Sequence, residues 1–128
     1  MSNGKRMIPR VPAVKLTIHF GDACGHQHKH LSASLMGVLR EHDLAGATIL
    51  QGQMGYGRSR RIYSQMNEAM TNLPLTIEVV DEHDKIERAV PRIVEMLAGH
   101  GLVQVQQTAV VRHPLMLEGT GKGAKRSA

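Results

Sequence analysis

The chain has no tryptophan, one phenylalanine, two tyrosines and one cysteine in 128 residues. So few aromatics leave no stacking platform for single-stranded nucleic acid. The lone Cys24 excludes an intrachain disulfide and fits a reducing, cytoplasmic setting. No apolar run approaches the roughly 18–20 residues that a membrane-spanning helix needs. No apolar h-region follows the basic N-terminus, as a secretory signal would require. Acid is nearly missing from the two ends. Residues 1–13 carry Lys5, Arg6 and Arg10 and no acid; residues 114–128 carry Lys122, Lys125 and Arg126 against Glu118 alone. The body between them holds ten basic and ten acidic residues, so the net charge of +5 resides in the ends. Rich in Gly, Pro, Ser and Lys, these ends read as disordered tails that attract polyanions weakly and make no specific nucleic-acid contact. The remaining residues 14–113 are of single-domain size, and a chain that is 41% hydrophobic overall can bury a core.

What is present is a clear alternation of periods. Val14, Leu16, Ile18 and Phe20 alternate with Lys15, Thr17 and His19, the period of a half-buried strand that ends at Gly21-Asp22. Leu31, Leu35, Val38 and Leu39 then recur on one helical face, with Ser32 or Ser34 as the cap and an end near Asp43. Ala47–Gln53 reads as a second strand. Residues 54–72 show no strong period, although Gln65–Met70 fits a helical turn. A segment that long inside a compact domain points to function or disorder. Leu73–Asp81 reads as a third strand, with Pro74 tolerated near its start. Asp84 and Glu87 fit a capping box. They precede a second stripe, Ile86, Val90, Ile93, Val94 and Leu97, which is interrupted by Pro91 and closed by Gly99 or Gly101. A last strand lies within 102–113.

The two halves resemble each other. Asp22 and Asp81 both follow a strand and precede a helix, and His42-Asp43-Leu44 and His100-Gly101-Leu102 both lead from a helix into the next strand. Two βαβ units predict an α+β, ferredoxin-like βαββαβ sandwich: an antiparallel sheet with two helices on one face. The other face, with Thr17, Thr76 and Val80 as candidates, needs cover, which a homo-oligomer would supply.

The most informative segment is Gly46-Ala47-Thr48-Ile49-Leu50-Gln51-Gly52-Gln53-Met54-Gly55-Tyr56-Gly57-Arg58, a strand that runs into a glycine-punctuated basic loop. Gly52, Gly55 and Gly57 permit tight turns or close approach to a ligand, and Arg58, Arg60 and Arg61 follow. That pattern suits an anionic ligand or a partner protein; a solvated hairpin loop would look the same.

This segment, together with Leu73-Pro74-Leu75-Thr76-Ile77-Glu78-Val79-Val80-Asp81, Lys85-Ile86 and Gly101-Leu102-Val103, resembles the PII-like family known as domain of unknown function one-ninety. The resemblance covers about residues 14–112. It implies kinship in fold with PII signalling proteins and CutA proteins, and a homotrimer with clefts between neighbours. In PII proteins the long loop after the second strand contacts transporters or enzymes, and nucleotide phosphates bind at its foot, which reads Gly-aromatic-Gly-Arg. Gly55-Tyr56-Gly57-Arg58 matches, so the resemblance implies ligand-binding roles for Gly55, Gly57 and Arg58, with Arg112 as the remnant of an arginine pair after the last strand. The glycine-rich phosphate loop of PII proteins is replaced by the acidic Asp81-Glu82-His83-Asp84. That argues against tight ATP binding and leaves a smaller anion, a nucleoside monophosphate or no nucleotide. Family members are often encoded near membrane ion transporters, which makes a transporter or ion exporter the implied partner.

His26, His28 and His30 alternate, so an extended chain would place them on one side, as ligands for a divalent metal in a CutA-like alternative, with Cys24 or Asp22 nearby. A polar loop rich in histidine is the plainer reading. Cys24 and His26 lack a third orienting group for nucleophilic catalysis. Glu78 and Asp81, three apart on a strand, face opposite ways. Gly119-Thr120-Gly121-Lys122 lacks the strand and spacing of a phosphate-binding loop. Met54, Met66 and Met70 offer either an adaptable contact surface or core filler. The expectation is a regulatory protein and not an enzyme.

Overall fold

The computed structural model describes residues 8–21, 30–64 and 73–111. Eight elements follow in order: β1 (Arg10–Gly21), α1 (Leu31–Glu41), β2 (Thr48–Gln51), β3 (Met54–Gly55), β4 (Tyr63–Ser64), β5 (Pro74–Asp81), α2 (His83–Leu97) and β6 (Gly101–Val111). Four strands form one antiparallel sheet in the order β2-β5-β1-β6. With α1 after the first strand and α2 before the last, this is the α+β, ferredoxin-like βαββαβ arrangement that the periods predict. Among the described residues no helix is long and apolar enough to cross a membrane.

Strand alternation builds the core. Val14, Leu16, Ile18 and Phe20 of β1 and Leu75, Ile77 and Val79 of β5 pack against Leu31, Leu35, Val38 and Leu39 of α1 and Ile86, Ala89, Ile93 and Leu97 of α2. The α1 stripe is the one its spacing predicts. The α2 stripe is rotated from the expected one: Ala89 is fully buried, whereas Val94 is half exposed. The helix begins at His83, and positions 86, 89, 93 and 97 then share a face. Pro91 lies inside this helix without ending it, since core residues on both sides hold its two halves.

The expected caps do not form. His30 and Glu82 are the N-caps, neither through its side chain, so Ser32, Ser34 and the Asp84/Glu87 box are corrected. Asp81 does the work at α2 instead. Its buried carboxylate accepts the N–H of Ala45 and of Glu82, both at 2.7 Å, and ties the approach to β2 to the start of α2.

Two boundaries also shift. β1 begins at Arg10 rather than Val14, because Arg10–Ala13 pair with Thr108–Val111 of β6. β5 reaches only to Val14, so Pro12 sits where β1 has one neighbour and a missing N–H is tolerated. The 54–72 segment is not wholly irregular: β3 and β4 form a short ribbon with Met54 opposite Ser64 and Gly55 opposite Tyr63. Its Gln65–Met70 turn, with Met66 and Met70, lies outside the described residues.

The second face of the sheet carries Lys15, Thr17 and His19 of β1, Thr76, Glu78 and Val80 of β5, and Leu50 and Leu102 from the two edge strands. Lys15 and Glu78 pair across it at 3.5 Å. Thr17 is buried even in the single chain, flanked by Glu78 and Gln104 on the neighbouring strands. Leu50 and Leu102 are exposed.

Candidate functional site

Register decides where a site can form. Phe20 lies opposite Leu75 on one side and Gly101 on the other, and Leu75 in turn lies opposite Gln51. The end of β1, the starts of β5 and β6 and the end of β2 therefore meet at one end of the sheet. The loop leaves β2 here and folds back as the β3–β4 ribbon. Between ribbon and strand ends lies a cavity of about 960 Å³, at the upper end of the range for small-molecule sites.

Its walls bring together Gly55, Gly57 and Arg58, three of the residues expected to bind ligand. Arg112 lies outside the described residues, as do His26, His28 and Cys24. His30 is described, as the exposed N-cap of α1. Among the described residues no group of three or more His, Cys, Asp or Glu could hold a metal ion.

Sequence reasoning missed His19, Thr76, Tyr63 and His100 as wall residues. Thr76 Oγ1 is 3.2 Å from His19 Nδ1, within hydrogen-bond distance. The only signal that could have found them was the strand pairing, since they are scattered over 82 positions of sequence.

Two of the glycines are small for a reason other than a ligand. A Cβ on Gly52 would fall 2.9 Å from Cγ of Pro74, and one on Gly55 3.0 Å from the same atom. Gly52 N–H also donates to the Pro74 carbonyl at 2.8 Å. Gly57 differs: an added Cβ would meet nothing within 4 Å. None of the three has a positive φ, so none is kept for left-handed backbone.

The electrostatics are one-sided. Among the described residues, Arg58 is the only Lys or Arg of the wall, two histidines flank it, and the wall includes no Asp or Glu. The Arg58 guanidinium donates to the carbonyl of Gly99 at the end of α2. Arg60 lies over the Tyr56 ring at 5.5 Å and Arg61 over the Tyr63 ring at 5.4 Å, cation–π contacts next to the cavity. Such a site can take an anion with an apolar or aromatic body.

The model of the DUF190 family, described as Uncharacterized ACR, matches residues 13–110. The chain belongs to the DUF190 family. A UPF0166 protein of Methanocaldococcus jannaschii is 29% identical over 85 residues, which cover 66% of this chain and 75% of that protein. Among solved structures, CPII from Thiomonas intermedia K12, a nitrogen regulatory PII-like protein bound to ADP, AMP and bicarbonate, superposes with a TM-score of 0.66 at 20% identity, over 83% of this chain and 94% of its own. A protein of Thermus thermophilus described as PII-like in signalling gives 0.62 at 19% identity, over 82% and 95%. This DUF190 chain therefore has the PII-type form of the ferredoxin-like fold, and the cavity lies at the foot of its long loop.

Proposed function

We propose that the chain is a PII-like regulatory protein, not an enzyme, that binds a small anion at the loop foot and signals through residues 54–72 to a partner. The observation that carries this reading is the wall itself: one guanidinium, two imidazoles, two tyrosines and no carboxylate among the described residues around a cavity of nucleotide size. An adenine nucleotide is the first ligand class, and the nucleotides bound by CPII support it. A guanidinium suits phosphate through paired N–H donors. Ordering or re-aiming a loop next to the site links occupancy to a changed surface.

The working unit of this proposal is a homotrimer of one domain, expected over 14–113 and extended by β1 to Arg10. Exposed Leu50, Leu102 and Val105 on the edge strands support it, because edges of this kind otherwise invite uncontrolled pairing. The proposed partner, a membrane transporter or ion exporter, and the cytoplasmic setting rest on the family resemblance.

The test is thermal unfolding and calorimetric titration with AMP, ADP, ATP and bicarbonate, beside sedimentation for the assembly state. A bound ligand at 100 times its dissociation constant should add about 2.7 kcal/mol, and Arg58→Ala should remove most of that gain. Failure of all four to bind, or an Arg58→Ala protein that binds them as well, would overturn the reading.

A further inference from the structure

The end of α2 lacks something that α1 has. α1 carries Arg40 in its last turn, whereas α2 carries no basic residue in its own. A helix C-terminus leaves its last carbonyls without intrahelical partners and bears partial negative charge, which a cation there relieves. At α2 the chain also turns left-handed twice, with φ of 49° at Ala98 and 83° at Gly99. The Gly99 carbonyl is then free to meet a donor from elsewhere. That donor is Arg58, 41 positions away on the loop.

We infer that Arg58 is a strap: it supplies the missing C-terminal cation of α2, fastens the loop foot to the α2–β6 corner, and is thereby held aimed along the wall of the pocket read above as an anion site. Three features make this more than a surface contact. One Nη donates to a neutral carbonyl, so the positive charge is left uncancelled and other N–H donors of the fork stay available. The turn carrying Arg58 is closed by Arg60 N–H donating to the Gly57 carbonyl at 2.9 Å, so the strap holds a formed turn rather than a slack chain. The corner it grips begins β6 at Gly101, where a Cβ would lie 2.7 Å from the His19 carbonyl, so motion of the corner is felt on β1. The strap thus joins loop, helix end and sheet at one residue, and an anion that recruits Arg58 acts on all three.

Hydrogen exchange of the full chain without added ligand tests the strap, comparing wild type, Arg58→Gln and Arg60→Ala. Both variants lose one loop charge, but only Arg58→Gln cuts the link to Gly99. A charged hydrogen bond of this kind predicts roughly tenfold faster exchange in 56–61 and 98–101 for Arg58→Gln, with 98–101 unchanged in Arg60→Ala. Unchanged exchange at 98–101 in Arg58→Gln, or an equal rise in Arg60→Ala, would overturn the inference. AMP titration of the same proteins separates the two readings. Wild type that ignores AMP while Arg58→Gln shows the exchange rise sinks the nucleotide site and leaves the strap standing.

Discussion

Replacing Gly52 and Gly57 separately by alanine separates glycines kept for packing from glycines kept for approach. At Gly52 the new methyl lies 2.9 Å from Cγ of a rigid proline ring. The backbone cannot retreat without loosening the 2.8 Å bond from Gly52 N–H to the Pro74 carbonyl. Overpacking of this kind costs about 1–3 kcal/mol. At Gly57 the methyl enters open space, and φ is not positive. Alanine there only narrows the unfolded ensemble, which stabilises by roughly 0.4–1 kcal/mol. The two variants should therefore differ by about 1.5–4 kcal/mol in opposite directions. Urea unfolding at one fixed protein concentration, followed by circular dichroism, reads that difference. Equal destabilisation in both would refute the packing argument. A folded Gly57→Ala protein also isolates the site: if a ligand approaches the backbone there, its affinity for AMP drops about tenfold or more. An unchanged affinity would remove Gly57 from the site and leave Arg58.

Two further stability predictions follow from the core and its one buried carboxylate among the described residues. Asp81→Asn keeps one acceptor for the N–H groups of Ala45 and Glu82 and turns an NH2 toward the other; a loss of about 1.5–3 kcal/mol is expected in the same unfolding assay, and a change below roughly 0.5 kcal/mol would contradict the tie. Ile93→Ala should cost about 2–5 kcal/mol, whereas Val94→Ala, half exposed one residue later, should stay within about 0.5 kcal/mol; similar losses in both would mean that α2 is phased as its sequence first suggests.

The parts of the fold that were legible are those whose burial repeats along the chain. In β1 from Val14 onward and in β5 every second residue is buried, and in α1 all four residues of the expected stripe are. The α2 stripe was only partly legible because apolar Val90 and Val94 outweigh small Ala89 in any hydrophobic pattern, although Ala89 is the fully buried one. The caps misled for a related reason. α2 starts at His83 with Glu82 as its N-cap, so Asp84 lies inside the first turn, where it cannot cap with Glu87, and Asp81 takes the Glu82 N–H. The β3–β4 ribbon was not legible, since two residues per strand carry no period. The glycine-arginine motif located the loop foot, yet the rest of the wall comes from strand ends that only the register brings together. His19 illustrates it: in sequence it is one more outward residue of β1, and only opposite Thr76 and Leu102 does it become part of a cavity.

Register also changes the meaning of the acidic turn at Asp81-Glu82-His83-Asp84. In sequence it stands where a phosphate loop would, and its charge argues against a polyphosphate. In the folded chain it lies at the far end of β5 from Pro74, and Pro74 is in the cavity wall. Seven residue steps at about 3.3 Å put the two ends roughly 23 Å apart, well over twice the Debye length of about 8 Å at physiological salt. Asp81 is moreover buried and engaged with two backbone N–H groups, so its charge is already met locally. The turn is therefore too far along the sheet for its charge to select among phosphate chains proposed for the cavity of the same chain. On the reading proposed above that discrimination falls to the wall, where Arg58 is the one Lys or Arg among the described residues and matches one phosphate. A preference for a short anion, if titration with AMP and ATP shows one, then has a different physical source from the acidic turn: the cation count among the described wall residues.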